Sequence, residues 1–278
     1  MIKQSDQGEF ELDNVSVTFG DVRALSDVSM KINAGERVGF VGPSGAGKTT
    51  LLRLLNGTVR PTSGRVRSHG RSVGDLTPRE TRELRGQIGF IHQHHGLVAN
   101  LRVIQNVASG RLGQQSLIGS LRTMLFPNRG EAVAIHEILE RVGIEDKLYE
   151  RTDRLSGGQQ QRVAIARALY QEPVALLADE PVASVDPARA RDTVSLLCDV
   201  SREQGLSLCM SLHNLDLARE CFPRLIGLRF GRVVFDEPAS SLTDAQFEEL
   251  YHLEADQILE NGVRGDEHAF DHRSYIGE

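Results

Sequence analysis

Gly42-Pro43-Ser44-Gly45-Ala46-Gly47-Lys48-Thr49 is a run whose residue types can hold a chain of phosphates. Its glycines let backbone N–H groups turn inward onto an anion. Lys48 has the reach for β- and γ-phosphates, and the Thr49 hydroxyl can ligate Mg²⁺, with Thr50 next to it on the same helix start. Much later the acid pair Asp179-Glu180 follows the apolar run Val174 to Ala178. An aspartate at a strand's C-terminal end can hold the Mg²⁺ shell beside Thr49, and the adjacent glutamate can polarise a water that attacks the γ-phosphate. An acidic pair on its own is ordinarily a solvated turn; the order of phosphate loop, apolar strand and acid pair reverses those odds. A further run, Leu155-Ser156-Gly157-Gly158-Gln159, joins a good helix N-cap to a helix start whose N–H groups and positive dipole end suit an anion.

These groups need elements to position them. Residues 10–19 and 25–32 alternate apolar and polar, as half-buried antiparallel strands do. Arg37 to Val41 reads as a buried strand feeding the phosphate loop, and the helix opening at Lys48 carries Leu51, Leu52, Leu54 and Leu55 toward a core. Pro61 to Gly64 reads as a turn. Ile88 to Ile91 is another short apolar strand. From about 96 to 162 strand-like runs vanish and helical patterns take over, around Val103–Ala108, Ala132–Val142 and Gly157–Tyr170, with Gly113 to Gly130 loop-rich. The core then resumes with the strand before Asp179, a helix from Pro187, a strand over Leu206–Leu212, and a closing hairpin around Gly231. Strands alternating with helices predict a mostly parallel α/β sheet, with an antiparallel β-subdomain before it and a helical subdomain inserted at about 96–162. Thr243 and Gln246 have capping-box spacing for a helix bearing Phe247, Leu250 and Tyr251. This places a domain over 8–251 and an acid-rich tail over 252–278.

Composition bounds the partners. The chain has 278 residues and a net charge of −6, so no basic excess points to nucleic acid. Cys198, Cys209 and Cys221 show neither C-x-x-C spacing nor a histidine cluster, which predicts free thiols in a reducing compartment. No apolar run is long enough to cross a bilayer, and Met1 to Asp6 lacks an apolar signal-peptide core. A cytoplasmic chain that meets a membrane only through a partner is the expectation.

In this order, Gly42–Thr49, Gln93, Leu155–Gln159, Asp179-Glu180, Ser184-Val185-Asp186 and His213 resemble the ATP-binding-cassette (ABC) family over about residues 10–250. The resemblance implies a P-loop NTPase core that hydrolyses ATP with Mg²⁺ as a homodimer, two subunits sandwiching two nucleotides. It also implies residue roles. Gln93 contacts Mg²⁺ and the attacking water; Ser156, Gly157 and Gly158, with Gln159, grip the γ-phosphate bound on the opposite subunit; Asp186 belongs to the nucleotide interface; His213 touches the γ-phosphate. Phe19 takes the place of the family's adenine-stacking aromatic, the alternative being a strand-end core residue.

Gly110 to Gly113, Leu125-Phe126-Pro127, Ala178 to Pro187 and Ser211 to Glu220 resemble more closely the phosphonate/phosphite-importer ATPases of bacteria. That likeness implies a transmembrane permease partner, a periplasmic solute-binding protein acting indirectly, and a place at the cytoplasmic face of the inner membrane. His92, His94 and His95 depart from that subfamily's pattern and read as interface residues rather than a metal site; His268 and His272 also read as structural. Leu97, Val98 and Leu101 are expected as exposed apolar contacts for a permease helix. An importer of polar amino acids or another anion, a soluble ABC ATPase, and a nucleotide kinase remain as alternatives, the last lacking any use for Leu155–Gln159.

Overall fold

The computed structural model describes residues 9–251 apart from 116, 126 and 183–186. Two sheets and a helical segment make up the part that carries the motifs. The first sheet joins β1 (Phe10–Phe19), β2 (Val22–Ile32), β4 (Ser63–Ser68) and β5 (Arg71–Ser72) in the order β2-β1-β4-β5, with antiparallel pairings throughout. The second joins β3 (Arg37–Val41), β6 (Ile88–Ile91), β7 (Ala175–Asp179), β8 (Ser207–Leu212), β9 (Arg224–Arg229) and β10 (Arg232–Pro238) in the order β10-β9-β3-β8-β7-β6. Its pairings are parallel except for the β9–β10 hairpin, which turns through Phe230 and Gly231, both at positive φ. Such φ values at both central residues give the turn twist that matches the flanking strands.

The apolar content of each element explains its place. β7 is buried along its whole length, as a central parallel strand must be. α1 (Lys48–Leu55) is only 8 residues long, too short to persist by propensity. Leu51, Leu52, Leu54 and Leu55 are fully buried and hold it beneath both sheets, in a core shared with Phe10, Leu25 and Phe40.

The helices between β4 and β7 are α2 (Pro78–Gln87), α3 (Val103–Ala108), α4 (Leu117–Leu125), α5 (Arg129–Arg141) and α6 (Gly157–Tyr170). α2 is absent from the sequence reading, and α4 occupies part of the stretch read as loop. α5 begins three residues before the expected Ala132 because Asn128 caps it, accepting from Glu131 N at 2.9 Å while Asn128 N donates to Glu131 Oε2 at 2.7 Å. The turn read over Pro61 to Gly64 also ends early: β4 starts at Ser63, and Gly64, at φ +81°, lies against the Asn14 carbonyl where a Cβ would come within 2.3 Å. β7 and β8 are followed by α7 (Pro187–Gln204) and α8 (Leu215–Cys221).

A second unit begins at Thr243. Its described part is α9 (Asp244–Tyr251), with the expected cap: Thr243 N donates to Gln246 Oε1 at 2.9 Å and Gln246 N to Thr243 Oγ1 at 3.4 Å. The tail reading for 252–278 lies outside the described residues. Among those described, no helix is long and apolar enough to cross a membrane. Cys198, Cys209 and Cys221 are free thiols; the first two are buried, and burial pushes the Cys198 thiol up to about 12.

Candidate functional site

The parallel strands end in register, so the segments that follow them meet along one edge of the sheet, where α/β folds bind ligands. β3 delivers Gly42–Thr49, β7 delivers Asp179-Glu180, β8 delivers His213, and β6 delivers Gln93; Ile91 pairs with Ala178, and Asp179 with Ser211. Five of the residues picked from the sequence make contacts within this group. Thr49 Oγ1 donates to Asp179 Oδ1 at 3.0 Å. His213 Nε2 lies 2.5 Å from Glu180 Oε1, and Lys48 Nζ lies 3.7 Å from the same oxygen.

The phosphate loop is shaped by glycines with no room for a side chain. Gly42, at φ +146°, lies so close to the Leu228 carbonyl that a Cβ would sit 2.1 Å from its oxygen. Gly47, at φ +102°, would put a Cβ 2.7 Å from Ala24 O. Gly47 also caps α1 without a side-chain hydrogen bond, so the helix start presents backbone rather than a competing carboxylate or hydroxyl. Gly45, at φ +79°, faces open space, and Ser44 is exposed. Lys48 folds back over the loop and is buried, donating to Gly42 O at 2.7 Å and Pro43 O at 3.1 Å. Burial pulls its ammonium below the ordinary lysine range, and the Glu180 carboxylate opposes that shift. Pro43, Ala46 and Thr50 complete the loop and the first turn of α1.

Glu180 has φ +46°, a left-handed conformation that costs a non-glycine residue on the order of 1–2 kcal/mol. What holds it there is Ser211, a site residue the sequence reading missed: its hydroxyl donates to Asp179 Oδ1 at 3.0 Å and accepts from Glu180 N at 2.8 Å. The signal was available as a hydroxyl at the C-terminal end of a largely apolar strand, two residues before His213. Asn214, immediately after His213, caps α8 by accepting from Leu217 N at 2.9 Å and so fixes the loop that carries the imidazole. A cleft of about 600 Å³ opens beside this cluster, lined by Ser44, Glu180, Ser211, His213 and Asn214.

The other picked residues lie apart from that cluster. Phe19, at the end of β1, is 51% exposed, which leaves its ring face available. Gln93 is exposed in the turn after β6. Ser156 caps α6 as expected, and Gln159 answers it: Ser156 N donates to Gln159 Oε1 at 3.0 Å, and Gln159 N to Ser156 Oγ at 3.4 Å. Gly157 and Gly158 face open space, with nothing within 4 Å of an added Cβ. Asp186 lies outside the described residues. Oxygen donors from Thr49 and Asp179, with the Gln93 amide at the same sheet edge, are the hard-ligand chemistry that suits Mg²⁺, and the open glycine cradle beside Lys48 suits a polyphosphate.

Residues 25–183 match the ABC transporter family. The phosphonates import ATP-binding protein PhnC of Anaeromyxobacter dehalogenans is 48% identical over 233 residues, which cover 84% of this chain and 46% of that protein, so this chain spans just under half of that relative. PhnC 3 of Halalkalibacterium halodurans, also a phosphonates import ATP-binding protein, is 45% identical over 242 residues, 87% of this chain and 93% of its own. Among solved structures, cbiO1 of Clostridium perfringens, part of an ABC transporter complex, aligns with a TM-score of 0.74 at 26% identity, covering 93% of this chain and 100% of that one. A dimeric ATP-binding cassette in a post-hydrolysis state with ADP and Pi aligns with a TM-score of 0.72 at 32% identity, covering 84% of this chain and 100% of that one.

Proposed function

The chain belongs to the ABC transporter family, and on that premise we propose that it is the ATP-hydrolysing nucleotide-binding subunit of a bacterial phosphonate importer. The cluster of Lys48, Glu180 and His213 around one carboxylate oxygen carries the ATPase reading. The phosphonates import ATP-binding proteins at 45–48% identity support the cargo.

In this mechanism Lys48 exchanges the Gly42 and Pro43 carbonyls for β- and γ-phosphate oxygens, and the cradle N–H groups bind the rest of the chain. Phe19 stacks on the adenine. Thr49, Asp179 and Gln93 would hold Mg²⁺, which would supply charge neutralisation at the phosphates. Glu180 orients the attacking water and accepts its proton, held in its strained conformation by Ser211. His213 keeps the Glu180 carboxylate turned toward the γ-phosphate. Water-excluded donors placed in advance are the main source of rate in phosphoryl transfer. Ser156, Gly157, Gly158 and Asp186 serve the nucleotide on a second copy of the chain.

The permease partner docks at the junction of sheet and helical segment, from the cytoplasmic face of the inner membrane. A groove of about 460 Å³ there is lined by Phe90, His92, Gly96, Arg167 and Gln171. Val98 beside it is 48% exposed, while Leu97 and Leu101 are half-buried rather than fully exposed as the sequence reading had them. A periplasmic binding protein delivers cargo to the permease and never meets this chain.

Deleting the gene is expected to abolish growth on a phosphonate as sole phosphorus source, with restoration by the wild-type gene and none by Lys48→Ala. Normal growth of the deletion strain on phosphonate together with lost uptake of an amino acid would remove the cargo assignment and keep the importer.

A further inference from the structure

The turn that carries Gln93 is anchored at its two ends to different parts of the molecule. On one side β6 belongs to the core sheet. On the other, residues 95–101 are held by the helical segment. Arg167 of α6 donates from Nη2 to His95 O and from Nη1 to Gly96 O, both at 2.6 Å. Asn106 of α3 accepts from Val98 N at 2.8 Å and donates to Val98 O at 3.0 Å. Asp153 N donates to Ala99 O at 2.9 Å, and Thr152 N to Leu101 O at 3.0 Å.

Arg167 makes the link nearest to Gln93, and its chemistry is specific. His95 and Gly96 both have φ +58°, a left-handed pair that turns two successive carbonyls to one side. A guanidinium fork can meet both at once, whereas an ammonium is a point donor. The side chain is largely desolvated, and burial pulls its guanidinium below the ordinary arginine range. A half-buried charge so placed loses by giving up either carbonyl. Its backbone is fixed as well: Gly110 packs so tightly on α6 that a Cβ there would lie 2.3 Å from Arg167 O.

α6 runs unbroken from Gly157 to Tyr170. The glycines at its start lie about 15 Å along its axis from Arg167, with the helix between them acting as a rod. We infer that Arg167 is a positioning residue for Gln93: its fork ties the Gln93 turn to α6, so that Gln93 and the Ser156–Gly158 helix start move as one piece. A tilt of α6 on engaging a second subunit's nucleotide then swings Gln93 about the His92–His94 segment toward or away from Thr49 and Asp179. This inference rests on the reading of Gln93 as a ligand of Mg²⁺ and water.

A double-mutant cycle on the purified full-length chain tests it, reading kcat, KM and nucleotide Kd. Arg167→Gln is expected to lower kcat about tenfold with Kd for ATP within about twofold of wild type. Arg167→Lys should fall between, since it keeps the charge and only one of the two bonds. Adding Arg167→Gln to Gln93→Ala should cost no more than about twofold beyond Gln93→Ala alone, because a residue acting through another adds nothing once the other is gone. A clip that merely stabilises the fold would instead give independent, multiplicative losses. Where Arg167→Gln does not fold, Arg167→Lys is read through the same cycle. An impaired Gln93→Ala with an unimpaired or multiplicative Arg167 variant overturns this inference alone. Wild-type turnover of Gln93→Ala overturns the Gln93 reading, and this inference with it.

Discussion

At the scale of single residues, the proposed mechanism gives each group of the candidate site one task. Glu180 lies within 2.5 Å of His213 and 3.7 Å of Lys48, in a backbone conformation that Ser211 sustains. Glu180→Gln retains the shape and loses the charge that orients water. Turnover is therefore expected to fall about 100-fold or more, roughly 3 kcal/mol of barrier, with ATP affinity little changed. Steady-state hydrolysis beside a nucleotide titration decides it; a loss under about threefold, below 1 kcal/mol, removes Glu180 from the role given to it. Phe19 offers a second check. Its ring is half exposed and packs little, so Phe19→Ala should leave the melting temperature unchanged while weakening ATP about five- to tenfold, the value of one stacking contact. Phe19→Tyr should bind as wild type does. A fall in melting temperature with unaltered affinity would make Phe19 a packing residue.

At the scale of elements, the loop matters as much as the side chains it carries. Gly42 is pinned against Leu228 O, and relief of a 2.1 Å contact requires the strand or the loop to move. Gly42→Ala is thus expected to lower stability by several kcal/mol and to abolish nucleotide binding, whereas Gly113→Ala, with open space around it, should be nearly neutral. Thermal unfolding and nucleotide binding of the two variants make the comparison, and equal melting temperatures would refute it. Elements of this kind were legible in the sequence where burial wrote a pattern. β1 alternates and β7 is continuously apolar, and the structure places both within a residue of the reading. α2 escaped because Leu84 is its one buried side chain, so no apolar face announces it. Its start was nevertheless written in Thr77, Pro78 and Glu80: the Thr77 hydroxyl accepts from Glu80 N at 3.3 Å, and Glu80 accepts from Thr77 N at 2.8 Å. α4 escaped because Gly119 and Ser120 interrupt its apolar residues in the middle. The proposed phosphate-site residues were legible as motifs. Ser211 and Arg167 were not, since their contacts are to other groups of the protein, and those pairings only the fold creates.

At the scale of the whole molecule, the proposed mechanism gives one chain two halves of different sites. Lys48, Thr49, Asp179, Glu180 and His213 converge on one sheet edge, while Gly157 and Gly158 open onto space at the start of a helix built around its own capping box. That helix start has the N–H groups and dipole end for a γ-phosphate, and its Gln159 side chain is occupied with the cap. Two copies placed head to tail would complete both sites at once, the closed arrangement that a two-fold axis provides. In that arrangement hydrolysis would remove the γ-phosphate that joins the pair, so the assembly should accumulate only when ATP stays intact. The Glu180→Gln chain with Mg-ATP is therefore expected to run as a dimer by size-exclusion chromatography with light scattering, and as a monomer without nucleotide. Adding Ser156→Arg removes the cap hydroxyl and places a bulky side chain where the phosphate must sit, which should return the protein to a monomer while its own phosphate loop still binds ATP. Each outcome isolates one half of the site: a monomer at saturating ATP in the single variant would sink the head-to-tail arrangement, and a persistent dimer in the double variant would relocate the interface away from α6.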